Sequence, residues 1–286
     1  MKLTSISKTL DNEFGIPDHP ENLVEWAVTE ETKEYINPEF LNQKTGLMTR
    51  SSDTITEVYS CVFVSDQVVE KMKQEKGILL FTHHQFNYYE DERGLQPISP
   101  ETFSFLRDRG VSIFVAHAPL DTHPAYGTSI ALAEFTGITV DNFFFNYFEA
   151  PTALFGHLDR TRFSVFSEGV KNSLSRPCLT IQKHSPYVEK LAVAAGGGDE
   201  PEILKLAYKE GCDTLITGTV EHRWAAPFVQ EKNKEFHELN KELKLNLIGG
   251  THFGTERPAM IKVTEFITRL GIKCEYCEDE YLLNAE

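Results

Sequence analysis

The sequence predicts an α/β protein of two blocks, each with a mainly parallel sheet crossed over by helices. Three observations carry that expectation. Short apolar runs alternate with helical patterns along most of the chain, the connections between them are short, and polar residues with metal-ligand chemistry recur just after the strands. Alternation with short loops implies parallel strands joined by right-handed crossovers.

The elements follow in order. Up to about residue 55 the chain reads as irregular, rich in Asp, Glu, Asn and Pro, with a helical candidate near Asn22–Val28. Val58–Ser65 reads as a strand, Val68–Gln74 as a helix and Ile78–Thr82 as the next strand. Pro100–Arg109 is the next helix, with Ser99 placed to cap it and Pro100 in its first turn. Val111–Ala116 is a third strand and Thr128–Phe135 a third helix. From Asp141 to Pro177 the chain is aromatic and reads as loop-rich. Alternation resumes with strand Leu191–Ala195, helix Pro201–Glu210, strand Thr214–Thr217 and a charged helix over Glu221–Leu243. Strand Leu245–Ile248, helix Pro258–Leu270 and strand Ile272–Tyr276 complete the pattern. The block boundary falls near residues 136–150. The expected division is a first domain from residues 1–135 and 236–286, with an interposed second domain over 136–235.

At 286 residues and 41% hydrophobic, the chain can bury one large core or two smaller ones. A formal net charge of -15 argues against extended nucleic acid as a partner, because phosphate binding needs a basic surface. Bound cations would invert the sign locally inside one cleft. The start, Met1-Lys-Leu-Thr-Ser-Ile-Ser-Lys8, lacks the apolar core of a signal peptide, and no stretch approaches the roughly 20 apolar residues of a membrane helix. A soluble cytoplasmic protein with no membrane partner is expected. Five scattered cysteines, 61, 178, 212, 274 and 277, fit a reducing compartment. The one CxxC, Cys274-Glu-Tyr-Cys277, lacks a second pair and reads as a final strand with two incidental thiols.

His83-His84 closes the apolar run Gly77-Ile-Leu-Leu-Phe-Thr82. On a regular strand neighbouring side chains face opposite ways, but where the strand releases into a loop two histidines can diverge onto two metals. Asp121 lies in His117-Ala-Pro-Leu-Asp-Thr-His123, and His252 and Glu256 lie four residues apart in His252-Phe-Gly-Thr-Glu256. Three imidazoles and two carboxylates are about what a pair of divalent transition ions needs, with positions left for water or substrate. His83-His84, His117/Asp121, Gly218–His222 and His252 each follow a predicted strand, the edge where ligands bind in open parallel sheets.

Each motif has a plainer alternative. His-His pairs also occur on surfaces, Asp121 also suits a turn and His123 a surface. Thr255 reads as a helix N-cap with Pro258 in the first turn, so Glu256 also suits simple complementarity to the helix dipole. Ala195-Gly-Gly-Gly-Asp199 reads either as an anion cradle of backbone amides or as a tight turn capped by Asp199. His-x-His, HExxH, P-loop, GxSxG and GxGxxG signatures are absent.

Taken together the chain resembles the Nif-three-like dinuclear-metal proteins, the type 2 GTP cyclohydrolase I homologues. The likeness runs through Thr45-Gly-Leu-Met48, Leu80-Phe-Thr-His-His84, His117-Ala-Pro-Leu-Asp-Thr-His-Pro124, Ala131-Leu-Ala-Glu134, Val193-Ala-Ala-Gly-Gly-Gly198, Thr217-Gly-Thr-Val-Glu-His222 and Gly250-Thr-His-Phe-Gly-Thr-Glu256. The resemblance implies two related α/β domains with a metal cleft between them, and a toroidal homohexamer. It also implies that His83 and Asp121 hold one metal, that His84 and His252 hold the other, and that Glu256 bridges. The chain departs where Gln85-Phe86-Asn87 follows the histidines in place of Pro and an apolar residue, and where Gly218-Thr219 replaces Gly-Asp.

Two divalent ions about 3.5–4 Å apart make metal-assisted hydrolysis the leading expectation. The cofactors are two divalent metal ions drawn from Fe, Mn, Zn or Co. The substrate class is a small molecule such as a nucleotide or phosphoester, or a purine-type C–N bond. His117 and His222 are the candidate catalytic residues, with His123 beside them, for proton transfer or for orienting a ligand. A reading from another class is a non-catalytic metal-binding adaptor or metal-handling ring protein.

Overall fold

The computed structural model of the chain describes residues 1–16, 28–72, 77–147 and 150–285. In chain order the strands are β1 (Gly46–Leu47), β2 (Glu57–Cys61), β3 (Ile78–Thr82), β4 (Phe86–Tyr89), β5 (Gly94–Pro97) and β6 (Val111–Val115). They continue as β7 (Thr139–Tyr147), β8 (Ala150–Arg162), β9 (Thr180–Gln182), β10 (Tyr187–Ala194), β11 (Thr214–Thr217), β12 (Asn246–Gly249) and β13 (Cys274–Tyr276). The helices are α1 (Leu3–Phe14), α2 (Pro38–Gln43), α3 (Asp66–Lys71), α4 (Pro100–Asp108), α5 (Ala118–Asp121) and α6 (Thr128–Phe135). After them come α7 (Phe163–Ser173), α8 (Pro201–Glu210), α9 (Pro227–Leu243), α10 (His252–Arg269) and α11 (Glu280–Asn284). No helix of the described residues is long and apolar enough to cross a membrane.

The chain forms two compact units. The first comprises Met1–Tyr89, Leu95–His123 and Met260–Glu280, and the second Glu90–Gly94, Pro124–Ala259 and Tyr281–Glu286.

In the first unit the sheet order is β1-β6-β3-β2-β13. β13, β2, β3 and β6 run parallel, and only the two-residue β1 is antiparallel. β2, β3 and β6 are buried at every position. Such strands are covered on both faces, which is why β3 and β6 read as largely apolar runs rather than alternating ones. One face carries Ile78, Leu80, Val111, Ile113 and Val115 into a shared core. On the other, Phe81 stacks with Phe114 at 5.6 Å and meets Phe14 of α1 at 5.3 Å.

The N-terminal segment is not the irregular lead-in expected from its polar composition. Leu3, Ile6, Leu10 and Phe14 recur at helical spacing, and all four are buried along one side of α1. Gly15, in the left-handed conformation at φ 59°, ends that helix. A short 3₁₀ turn (Lys33–Tyr35) and α2 follow, with the Asn37 side chain accepting from Glu39 N at the start of α2. The helix expected near Asn22–Val28 lies, apart from Val28, outside the described residues, as does the expected extension of α3 to Gln74. Ser99 caps α4 as its sequence predicts, accepting from Thr102 N.

In the second unit the order is β7-β8-β10-β11-β12-β9, with a parallel centre of β10, β11 and β12 flanked by antiparallel strands. Alternate residues serve two cores. Leu191, Val193, Ile216 and Ile248 enter one, and Ala192, Ala194, Leu215 and Leu247 enter the other. The stretch expected to be loop-rich is a long antiparallel pair, β7 with β8, followed by α7. Repeated register shifts along that pair break strict alternation, so its aromatic residues do not show the period of a regular strand. The charged helix begins only at Pro227, since residues 221–226 form a loop.

Candidate metal centre

In the first unit, β3 and β6 pair with Thr82 beside Val115, so the two histidines after β3 and His117 after β6 leave the sheet at the same level. The ladder extends a step past the strands, through His83 N to Cys61 O (3.2 Å), His84 N to Val62 O (2.9 Å) and Ala116 N to Thr82 O (3.1 Å). The Thr82 hydroxyl bonds to Val62 O and His84 O, fastening the turn. Both histidines are therefore rigidly placed and buried.

The rings of His83, His84 and His117 lie 4.3–4.9 Å apart by centroid, and each offers one nitrogen within 4.8 Å of the others. His84 stacks on Phe63 at 4.5 Å, with the ring planes nearly parallel at 8°. His83 Nδ1 lies 2.9 Å from Ala116 O. A carbonyl only accepts, so this contact assigns the ring proton to Nδ1 and leaves Nε2 as a bare acceptor. That nitrogen faces Asp121 Oδ1 at 3.5 Å, across the end of α5. A bare imidazole nitrogen opposite a carboxylate, with the other ring nitrogen held by a backbone carbonyl, is the donor chemistry of a metal ligand and its support.

His117, read from the sequence as a proton-transfer residue, stands among these imidazoles. His123 packs against α1, 3.8 Å from Glu13 and with its ring 5.4 Å from that of Phe14. Burial lowers its pKa, and Lys262 adds to this while Glu13 opposes it.

In the second unit, β10, β11 and β12 are in step through Ala194, Thr217 and Gly249, so three loops leave the same edge. Thr251 has φ 66°, a left-handed conformation that is costly for a β-branched residue, on the order of 1–3 kcal/mol. Its hydroxyl accepts from Gly254 N and its carbonyl accepts from Thr255 N, so α10 starts at His252 rather than beside Glu256. Thr255 is thus not the N-cap that its sequence context suggests. Its hydroxyl donates to Thr251 O at 2.9 Å and accepts from Gly196 N at 3.0 Å, and Pro258 lies inside the helix.

The early start puts His252 and Glu256 one turn apart on the same helix, with Nε2 and Oε1 3.0 Å apart. Gly196 lies against them at φ +70°. A Cβ there would collide with Glu256 Oε1 and come within 3.2 Å of His252 Nε2. The glycine loop after β10 therefore makes room for this pair. Two of its amides are engaged within the protein, Gly196 N by the Thr255 hydroxyl and Gly198 N by Gly196 O, which disfavours the anion-cradle alternative.

Asp199, at the end of that loop, caps nothing. α8 has Glu200 at its N-cap with no side-chain bond. The Asp199 carboxylate is fully buried, 3.4 Å from His222 Nε2 and 3.7 Å from Lys232 Nζ. Burial pushes its pKa up, but His222, by hydrogen bonding and charge, and Lys232 outweigh this and hold it below the usual carboxylate range. The sequence offered Asp199 only as a turn residue. Its spacing from His222 carries no pattern, because two different strands deliver them.

The donors are imidazole nitrogens and carboxylate oxygens, a set that suits Fe, Mn, Co or Zn. Within the first unit this set comprises His83, His84, His117 and Asp121; within the second it comprises His252 and Glu256.

Comparison with known proteins gives one consistent answer. The family model described as Duf34/NIF3 (NGG1p interacting factor 3) matches residues 33–278. A curated relative from Borreliella burgdorferi, named GTP cyclohydrolase 1 type 2 homolog, is 26% identical over 210 residues, covering 73% of this chain and 78% of its own. One of the same name from Allochromatium vinosum is 26% identical over 219 residues, covering 74% and 78%. Among solved structures, protein ybgI, titled as of unknown function, superposes with TM-score 0.71 at 18% identity over 99% of this chain and 100% of that one. Reduced HcgD from Methanocaldococcus jannaschii gives 0.67 at 22% over 98% of each. These two likenesses establish the fold. With the family model matching most of its length, the chain belongs to the DUF34/NIF3 family.

Proposed function

We propose that this protein is a metal-dependent hydrolase that holds two divalent ions, with His83, His84, Asp121, His252 and Glu256 as ligands. The observation that carries the reading is His83. One of its ring nitrogens is held by Ala116 O at 2.9 Å and the other faces Asp121 Oδ1 at 3.5 Å, inside a buried group of three imidazoles. A ring nitrogen fixed by a backbone carbonyl while the other is turned to a carboxylate is the arrangement of a supported metal-ligating histidine. His252 and Glu256, seated against Gly196, offer donors of the same chemistry.

A pair of divalent ions bound by these residues would supply Lewis acidity for the bond under attack and activate water at neutral pH. The chain's own side chains do the rest. Ala116 fixes the ring of His83, Phe63 holds the plane of His84 and Thr82 secures the turn between them. His117 and His222 serve in proton transfer, a role suited to imidazole near neutral pH.

The substrate class is a small molecule, either a nucleotide or other phosphoester or a purine-type C–N bond. The names of the curated relatives support the nucleotide direction, and the net charge of -15 disfavours extended nucleic acid. The reading includes a cytoplasmic homo-oligomer, a hexamer by family likeness.

The test is hydrolysis of a panel of nucleotides and activated phosphoesters by protein loaded in turn with Mn, Fe, Co and Zn. Activity that Glu256→Ala abolishes while circular dichroism is unchanged supports the enzyme. Sustained inactivity with all four metals contradicts it and leaves a metal-binding adaptor.

A further inference from the structure

We propose that Asp199 is a positioning residue, whose buried carboxylate holds the His222 ring with Nε2 protonated toward it and Nδ1 left bare as the proton-accepting atom. This rests on the reading of His222 as a proton-transfer group. Aspartate is rarely buried without partners, yet Asp199 is 0% exposed and neither of its oxygens accepts a well-aligned hydrogen bond within the fold. An imidazole nitrogen and an ammonium face it instead, His222 Nε2 at 3.4 Å and Lys232 Nζ at 3.7 Å, with Lys232 also held by Glu200 Oε1 at 2.9 Å.

The alternatives fail on geometry. Asp199 does not cap α8. A metal bound through the same Oδ1 would meet the Lys232 ammonium, so an imidazole N–H is the better complement. Beside this pair, the hydroxyls of Thr217 and Thr219 are buried and also lack hydrogen-bond partners. A Cβ on Gly198, the residue before Asp199, would lie 2.5 Å from Thr217 Oγ1. Unsatisfied polar atoms gathered at one strand edge mark a place for water or polar ligand atoms.

The His222 loop is tied by Gln230 Nε2 donating to His222 O at 2.9 Å, and the imidazole remains 12% exposed, so one edge of the ring reaches the surface. The tautomer of a histidine follows the partner of its other nitrogen. With Asp199 ionised and facing Nε2, the proton sits there. Nδ1 takes a proton from the attacking water, giving an imidazolium opposite the carboxylate, and returns it to the leaving group, restoring the neutral ring. An amide in place of the carboxylate would let the ring adopt the wrong tautomer.

The experiment is long-range proton–nitrogen NMR of zinc-loaded protein labelled with nitrogen-15 histidine, with His222 assigned through His222→Gln, read beside steady-state kinetics. The wild-type His222 ring is expected as the Nε2–H tautomer. In Asp199→Asn that preference is lost, kcat falls on the order of tenfold or more with KM little changed, and metal content is retained. A wild-type ring protonated at Nδ1 overturns the proposal, and this holds even where Asp199→Asn fails to fold. An Asp199→Asn protein with unchanged tautomer and kcat overturns it as well. If the wild type hydrolyses nothing but shows an Nε2–H ring that Asp199→Asn loses, the positioning stands and only the hydrolase reading falls.

Discussion

Gly196 and Glu256 are in direct apposition, so a single methyl group on Gly196 would occupy the space of the Glu256 carboxylate. Gly196→Ala should displace Glu256, lower bound metal and cost about 1–2 kcal/mol from the left-handed backbone alone. Gly211 is the control. Its φ is +81°, and a Cβ there meets nothing within 4 Å. Both alanine variants should lose stability in urea unfolding, Gly196→Ala the more because of the overlap with Glu256, but only Gly196→Ala should lose metal. Equal metal content in the two would remove the assigned role of Gly196.

Asp121 faces the bare nitrogen of His83 at 3.5 Å. Asp121→Asn keeps the shape and removes the charge, so metal affinity measured by competition with a chelator should fall by at least about tenfold. His83→Ala should fall further. Unchanged affinity in both would exclude this pair as ligands.

Phe63 is buried and sandwiched between the rings of His84 and Tyr88, at 4.5 and 4.6 Å. Phe63→Ala should destabilise the protein by about 3–5 kcal/mol through lost burial and the cavity left behind. Phe63→Leu restores most of the apolar volume but not the flat face. Its unfolding midpoint should recover while metal binding stays weakened, and full recovery of both would show that the stack merely fills space.

The folded-state pKa of Asp199 lies below its ordinary value of 3.8. Its contribution to stability is therefore complete above that ordinary value and is lost as pH falls through the lower folded one. The difference in unfolding free energy between wild type and Asp199→Asn should be constant near neutrality and shrink on acidification below about pH 4. A difference independent of pH down to about pH 2.5 would contradict the ion-pair environment of Asp199.

Much of the sheet architecture is legible in the sequence because doubly covered parallel strands leave a largely apolar signature, as in Ile78–Thr82 and Val111–Val115. The convergence of His83, His84 and His117 is legible for the same reason, since each follows such a strand. α1 escaped because its apolar residues are spaced among Thr, Ser, Lys and Asp, and a polar composition hid a helical period. The β7–β8 pair escaped because its register shifts break alternation. Thr251 was invisible as a cap because a β-branched residue is a poor candidate for a positive φ, and that misplaced the start of α10. Asp199 was misread because its partners come from a different loop and a different helix, which no local spacing encodes.

The central claim is that His83, His84, Asp121, His252 and Glu256 bind a pair of divalent metal ions. Metal analysis of freshly purified wild type, His84→Ala and Glu256→Ala tests it most directly, with circular dichroism to confirm that each is folded. The account predicts about two divalent ions per wild-type chain and a loss of at least about one in each variant. A folded wild type that binds no divalent ion when supplied with Mn, Fe, Co or Zn, or variants that keep the full complement, would contradict it.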